Sequence, residues 1–307
     1  MFLVIGFLVP GAVVQTASFG LAVVLNGLIA VLAVLAFEAL CLQAIGGKGL
    51  AAANGPSRLT DRLLDGSGFV TAVLLALALP PEVPWPVLII AAIAAVGIGK
   101  YAYGGLGNNI FNPAMVGYAI VLVSFPKFMG WPTSTDAFTG ATALTTFKFH
   151  TGTVEDVWTP LNGFGAIAGA QWEWINLAFL LGGLGLVAWR LVAWRIPLAM
   201  LATIGILAAL GYANTSSKSL GSPLFHWFSG GTMLAAFFVA TDPVTHPVSA
   251  RGQWLFGIIV GAMTFCIRAF GNYPDGVAFA ILLANAITPY VDRRWTFAGK
   301  SSRTAGG

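Results

Sequence analysis

The chain has 307 residues, of which 57% are hydrophobic and only 8% charged, against about 25% charged in an average soluble protein. So few charges cannot solvate a globule of this size, and the apolar residues fall in blocks of bilayer length, so lipid is the expected solvent. The net charge of +4 comes from Lys and Arg scattered among the flanking loops, without the basic stripe that nucleic-acid binding requires. No nucleic-acid partner is expected.

Apolar periods and Gly/Pro breakers predict spans at 2–19, 21–45, 68–80, 84–103, 112–126, 175–193, 196–213, 228–241, 253–270 and 276–291. The expected fold is all-α: a polytopic membrane protein of about ten transmembrane helices, one membrane domain over 1–307. The first block lacks a basic n-region, contains Pro10-Gly11 and runs into the second without a cleavage site, so it reads as a retained helix and not a signal peptide. The third, fifth and eighth spans are shorter than the ~17 residues needed to cross. Bounded by Gly or Pro, they are expected to be half-helices shielded by their neighbours, the kind of segment beside which ion or ligand sites lie.

Threading the chain alternately through the bilayer places Lys48, Arg58, Arg62, Lys100, Arg190, Arg195, Arg251, Arg293, Arg294, Lys300 and Arg303 on one side, and Lys127, Lys148, Lys218 and Arg268 on the other. The positive-inside rule then puts both termini in the cytoplasm and the long loop 127–174 on the outer face. A weak internal echo runs through the chain. Ser67-Gly68-Phe69, then Pro80, a full span and Asn112-Pro113 are matched by Ser229-Gly230-Gly231-Thr232, then Asp242-Pro243, a full span and Tyr273-Pro274-Asp275. Five spans in each half would make the repeats inverted, and recurring Gly/Pro turns alone would also produce such an echo.

Cys41 and Cys266 lie in separate apolar blocks, and His150, His226 and His246 are isolated. No metal-ligand spacing is present, so no metal site is expected and the histidines read as loop or interface residues. Gly104-Gly105-Leu106-Gly107 follows a membrane helix and not a strand, and lacks dinucleotide spacing. Close backbone packing is its simpler reading.

The external loop carries Asp136-Ala137-Phe138-Thr139-Gly140-Ala141-Thr142-Ala143-Leu144-Thr145. Gly140 permits a tight turn, and the threonines can bond local amides. Thr142 follows two small residues in a water-accessible loop, so a modifying enzyme could reach its hydroxyl.

Several strings together make the chain resemble a known family, NqrB/RnfD, the flavin-carrying membrane proteins of the Rnf ion-translocating oxidoreductases and of the sodium-translocating NADH:quinone oxidoreductases. They are Tyr103 to Asn109 with Phe111 to Tyr118, Ser124-Phe125-Pro126, the Asp136 to Lys148 segment, Ala240-Thr241-Asp242-Pro243-Val244-Thr245, and Gly271 to Asn285. The fit is closer to the Rnf branch, RnfD. The resemblance implies that FMN is joined by a phosphoester to Thr142, within a motif that includes Asp136, Thr139, Gly140 and Ala141. A separate Mg-dependent flavin transferase using FAD would attach it outside the cytoplasmic membrane, the side assigned from charge. A non-covalent riboflavin, held among the helices of the quinone-reducing relative, is a further expectation. The sequence opens on the first helix, where the family usually has a polar segment, and the loop before the motif is short.

Charges within or beside spans are costly in lipid and functional by default. Glu38, inside the second span, is a candidate for ion or proton coupling, the alternative being a structural hydrogen bond. Asp242 and Asp275, beside Pro243 and Pro274, are further ion-path candidates, whereas Lys100 and Arg268 at helix ends are expected to snorkel to the interface. The tryptophans near predicted boundaries read as belt anchors, with Trp131 the one that could face a flavin.

The expected function follows: a redox subunit of an ion-translocating ferredoxin:NAD oxidoreductase. It would pass electrons through the Thr142 flavin while the complex moves Na⁺ or H⁺. Its partners would be the other Rnf subunits, a second flavin-carrying one among them, with membrane lipid around it and no turnover alone. Two other readings stay open: the quinone-reducing relative, and a secondary transporter without flavin whose broken helices bind a solute.

Overall fold

A computed structural model describes residues 1–46, 63, 65–132, 142–149, 167–213, 216 and 218–304. Among them every regular element is helical, and the chain divides into two compact units, Met1–Gly140 and Ala141–Gly307. Among the described residues four helices are long and apolar enough to cross a membrane: Phe2–Phe19, Ala22–Ala44, Trp85–Tyr103 and Ala250–Phe270.

The first unit holds α1 (Phe2–Phe19), α2 (Ala22–Gly46), α3 (Ser67–Ala78), α4 (Trp85–Ala94) and α5 (Pro113–Ser124). A π turn, Ala95–Lys100, and a 3₁₀ turn, Tyr101–Tyr103, prolong α4. At twelve residues each, α3 and α5 are ~18 Å long by helical rise, well short of a ~30 Å hydrocarbon core. They are the half-helices that their Gly/Pro boundaries predict. A helix that ends inside the membrane leaves carbonyls with no water to bond, so side chains must supply donors. At the end of α3 two buried amides do so: Gln15 of α1 donates to the Leu77 carbonyl (3.2 Å), and Asn26 of α2 donates to those of Pro80 (3.3 Å) and Pro81 (2.9 Å). The start of α5 is capped by Asn112, whose side chain accepts from the Met115 amide at 3.2 Å, with Pro113 in the first turn. Proline suits that place because its absent N–H would be unpaired there in any case.

The second unit holds α6 (Ala143–Lys148), α7 (Ala170–Ala188), α8 (Arg195–Gly211), α9 (Pro223–Phe228), α10 (Thr232–Leu234), α11 (Ala250–Phe270) and α12 (Val277–Thr304). A π turn, Ala235–Val239, prolongs α10. Helix α8 packs on α11 where Gly257 and Gly261, four residues apart, face it. A Cβ on either would come within 2.6 Å of the Ile196 or the Met200 carbonyl, so only glycine allows this approach. Here too an amide supports the broken segment. Asn176 of α7 donates to the carbonyls of Phe228 (3.0 Å) and Gly230 (2.9 Å) and accepts from the Met233 amide (3.1 Å). Asn285 of α12 donates to the Thr245 carbonyl beyond it, at 3.1 Å.

Candidate functional site

Thr142 is the N-cap of α6. Its hydroxyl oxygen accepts from the Thr145 amide at 3.3 Å and lies 3.0 Å from the Thr145 hydroxyl. A threonine before a short helix takes this place because its oxygen satisfies an amide that has no partner inside the helix. The side chain is half-buried. Asp136, Thr139, Gly140 and Ala141 lie outside the described residues.

Six residues do not make a stable helix alone, so α6 is held by what it touches. Ala143, Leu144 and Phe147 bury their side chains in a cluster with Ala168 and Phe225. The Phe147 and Phe225 rings are 4.7 Å apart. Lys148, the last residue of α6, donates to the carbonyls of Ile267 (2.8 Å), Arg268 (2.8 Å) and Tyr273 (2.9 Å). A cation belongs there, since a helix C-terminus presents unpaired carbonyls and a negative partial charge. Burial, and after it the Arg268 charge, pushes the Lys148 ammonium below its usual range.

The Arg268 side chain points elsewhere. It donates to the His226 carbonyl (2.8 Å), the Thr232 hydroxyl at the start of α10 (2.9 Å) and the Asp275 carboxylate (3.0 Å). Asp275 also accepts from the Gly231 amide at 3.1 Å. His226 is buried between the rings of Phe225 and Phe265 and bonds the Leu220 carbonyl through Nε2 at 2.7 Å. Burial first and Arg268 second push it down to about 4. In this second unit three buried atoms, His226 Nδ1, Ser229 Oγ and Thr264 Oγ1, have no hydrogen-bond partner among the described residues.

In the first unit Glu38 is 2% exposed. Lys100, also 2% exposed, pairs with its carboxylate and donates to the Ser67 hydroxyl at 2.7 Å. The Tyr101 hydroxyl donates to Glu38 at 3.1 Å. Gly68 makes room, because a Cβ there would collide with the Glu38 carboxylate. Lys100 and Arg268 therefore do not snorkel, as their places at helix ends suggest. Each is turned inward by a carboxylate and by the hydroxyl that opens a half-helix. His226 likewise is a buried residue and not a loop histidine, its ring nitrogen bonded to the Leu220 carbonyl.

Asp242 accepts from the Val244 amide at 3.1 Å in the turn after the π segment, whereas Asp275 sits at the start of α10. The two candidates thus stand at opposite ends of one broken helix. The Trp131 ring packs 5.5 Å from that of Phe19. The buried amides Gln15, Asn26 and Asn176 are residues that motif reading passes over, and Asn285 ends a motif string without a role being read for it. Their signal is a lone amide inside an apolar run. No group of three or more His, Cys, Asp or Glu side chains converges among the described residues.

Comparison with known proteins gives a match to the NQR2, RnfD, RnfE family over residues 1–297. The chain is 45% identical to the D-type subunit of an ion-translocating oxidoreductase complex from Pseudomonas aeruginosa, covering 95% of this chain and 88% of the relative. The equivalent subunits from Cellvibrio japonicus (40% identical; 95% and 87% covered) and Sodalis glossinidius (42%; 92% and 88%) are similar over the same extent.

Proposed function

Because the chain belongs to the NQR2, RnfD, RnfE family, we propose that it is the D-type membrane subunit of an Rnf-type ion-translocating oxidoreductase, and that it carries FMN covalently on Thr142. Its relatives are named as subunits of ion-translocating oxidoreductase complexes, which supports the other subunits as partners; a second flavin-carrying subunit and the transferase that attaches the flavin belong to the proposed FMN reading. The charge bias supports an inner-membrane orientation with Thr142 on the periplasmic face and both termini in the cytoplasm.

One observation carries the flavin assignment: the Thr142 oxygen is half-buried at a helix N-cap, with both the amide and the hydroxyl of Thr145 beside it. Both groups can donate, so they still bond the oxygen once its own proton is replaced by a phosphoester. FMN, when bound, supplies single-electron chemistry. The chain's own residues do the rest. Leu144 and Phe147 hold α6 against Phe225, Lys148 fastens its far end, and Thr145 orients the ester oxygen. Among the ion-path candidates Glu38 is the best placed, as a carboxylate buried at the start of half-helix α3. It is there that we place the coupling to Na⁺ or H⁺ movement.

The protein made together with an active flavin transferase should give a fluorescent band on a denaturing gel. Thr142→Val should abolish that fluorescence without preventing membrane insertion, and Thr139→Val should weaken it at most. A fluorescent Thr142→Val band would move the site. A dark wild-type band would remove the flavin from this chain.

A further inference from the structure

The residue that ties α6 to the membrane helices is Lys148, and no motif assigns it a role. Its ammonium has three protons and three carbonyl partners, those of Ile267, Arg268 and Tyr273, all at 2.8 to 2.9 Å. They belong to the last turn of α11 and to the loop that follows it. Their own place is fixed, because the Arg268 guanidinium is spread over the His226 carbonyl, the Thr232 hydroxyl and the Asp275 carboxylate. Arg268 is therefore held twice, by its carbonyl from α6 and by its side chain from the start of half-helix α10. The apolar contacts of Leu144 and Phe147 fix how deep α6 lies. They do not fix its rotation or its slide, since aromatic and aliphatic surfaces have no directional bonds. Three charge-assisted hydrogen bonds do.

We propose that Lys148 is a positioning residue for the group carried on Thr142: by bonding three carbonyls at the end of α11 it sets the place and orientation of α6, and so of that group. This rests on the flavin assignment above. Two effects follow. A flavin on a fastened helix tumbles little, and an ammonium on the same short helix favours the reduced, more negative flavin over the oxidised one.

The test uses the chain in its assembled complex, made with active transferase, comparing wild type with Lys148→Met, Lys148→Gln and Lys148→Arg. All should insert and give the fluorescent denatured band. In the native complex Lys148→Met and Lys148→Gln should lower the flavin's fluorescence anisotropy and shift its midpoint potential downward. Lys148→Arg, which keeps the charge and several donors, should restore much of both. Two neutral variants are included so that a folding failure of one leaves the other to be read. Wild-type anisotropy and potential in a neutral variant that carries flavin would overturn the proposal while leaving the flavin assignment intact. A wild-type band without fluorescence would overturn both.

Discussion

Lys100 donates its ammonium proton to the Glu38 carboxylate across 62 positions of sequence, in a pocket where both side chains are almost wholly buried. Two ions leave water together at such a place only because each satisfies the other and because Tyr101 and Ser67 complete their bonding. Removing one partner strands the second in a medium that cannot solvate it. Lys100→Met should therefore destabilise the protein by roughly 3–5 kcal/mol. The Glu38→Gln, Lys100→Met double variant should recover a large part of that loss, and melting in detergent measures both. Additive losses would mean that the two residues do not stabilise one another. Glu38→Gln alone, assayed in the complex, should leave the flavin content unchanged and lower the ions moved per electron. An unchanged ratio returns Glu38 to a purely structural role.

His226 makes stability depend on pH. Its value falls from 6.5 to about 4 on folding, so between these pH values the unfolded chain binds a proton that the folded chain refuses. The stabilisation is complete above about pH 6.5 and is lost as pH falls toward 4, by at most about 3 kcal/mol. The melting temperature should drop on acidification, and His226→Gln, which has nothing to titrate, should drop less over the same range. Equal drops would show that other groups dominate.

Asn26 should be costly to replace although it touches neither Thr142 nor Glu38. Asn26→Leu suits the lipid-compatible composition of α2, yet it leaves the Pro80 and Pro81 carbonyls without their donor. A buried group stripped of its partner costs about 1–3 kcal/mol. Gln15→Leu should do the same at the Leu77 carbonyl. A melting profile of Asn26→Leu that matches wild type would mean those carbonyls find other donors.

The half-helices are legible in the sequence because proline and glycine mark their ends, and Thr142 stands out as a candidate because a hydroxyl after two small residues is a local pattern. What the sequence hides are the partners. Lys148 bonds carbonyls 119 to 125 positions away, and no local rule predicts which distant helix ends there. Lys100 and Arg268 mislead for a related reason. A cation near a helix end reads as an interface anchor, and only tertiary packing reveals the carboxylate and hydroxyl that draw it inward. Lone amides such as Asn26 stand out in an apolar run as needing a partner, while the partner itself remains unnamed until the helices pack.

The order in which these donors and acceptors are synthesised has consequences for membrane biogenesis. Gln15 and Asn26 precede the carbonyls they serve, so when α3 leaves the ribosome the two helices that receive its end already exist. A segment of twelve residues cannot be released sideways into lipid by itself, and here it need not be. In the second unit Asn176 likewise comes before the start of α10, but Asn285 comes 40 residues after the Thr245 carbonyl it bonds. Until α12 has been made, that turn lacks its Asn285 donor, so a nascent chain halted between α11 and α12 displays an unfinished polar end.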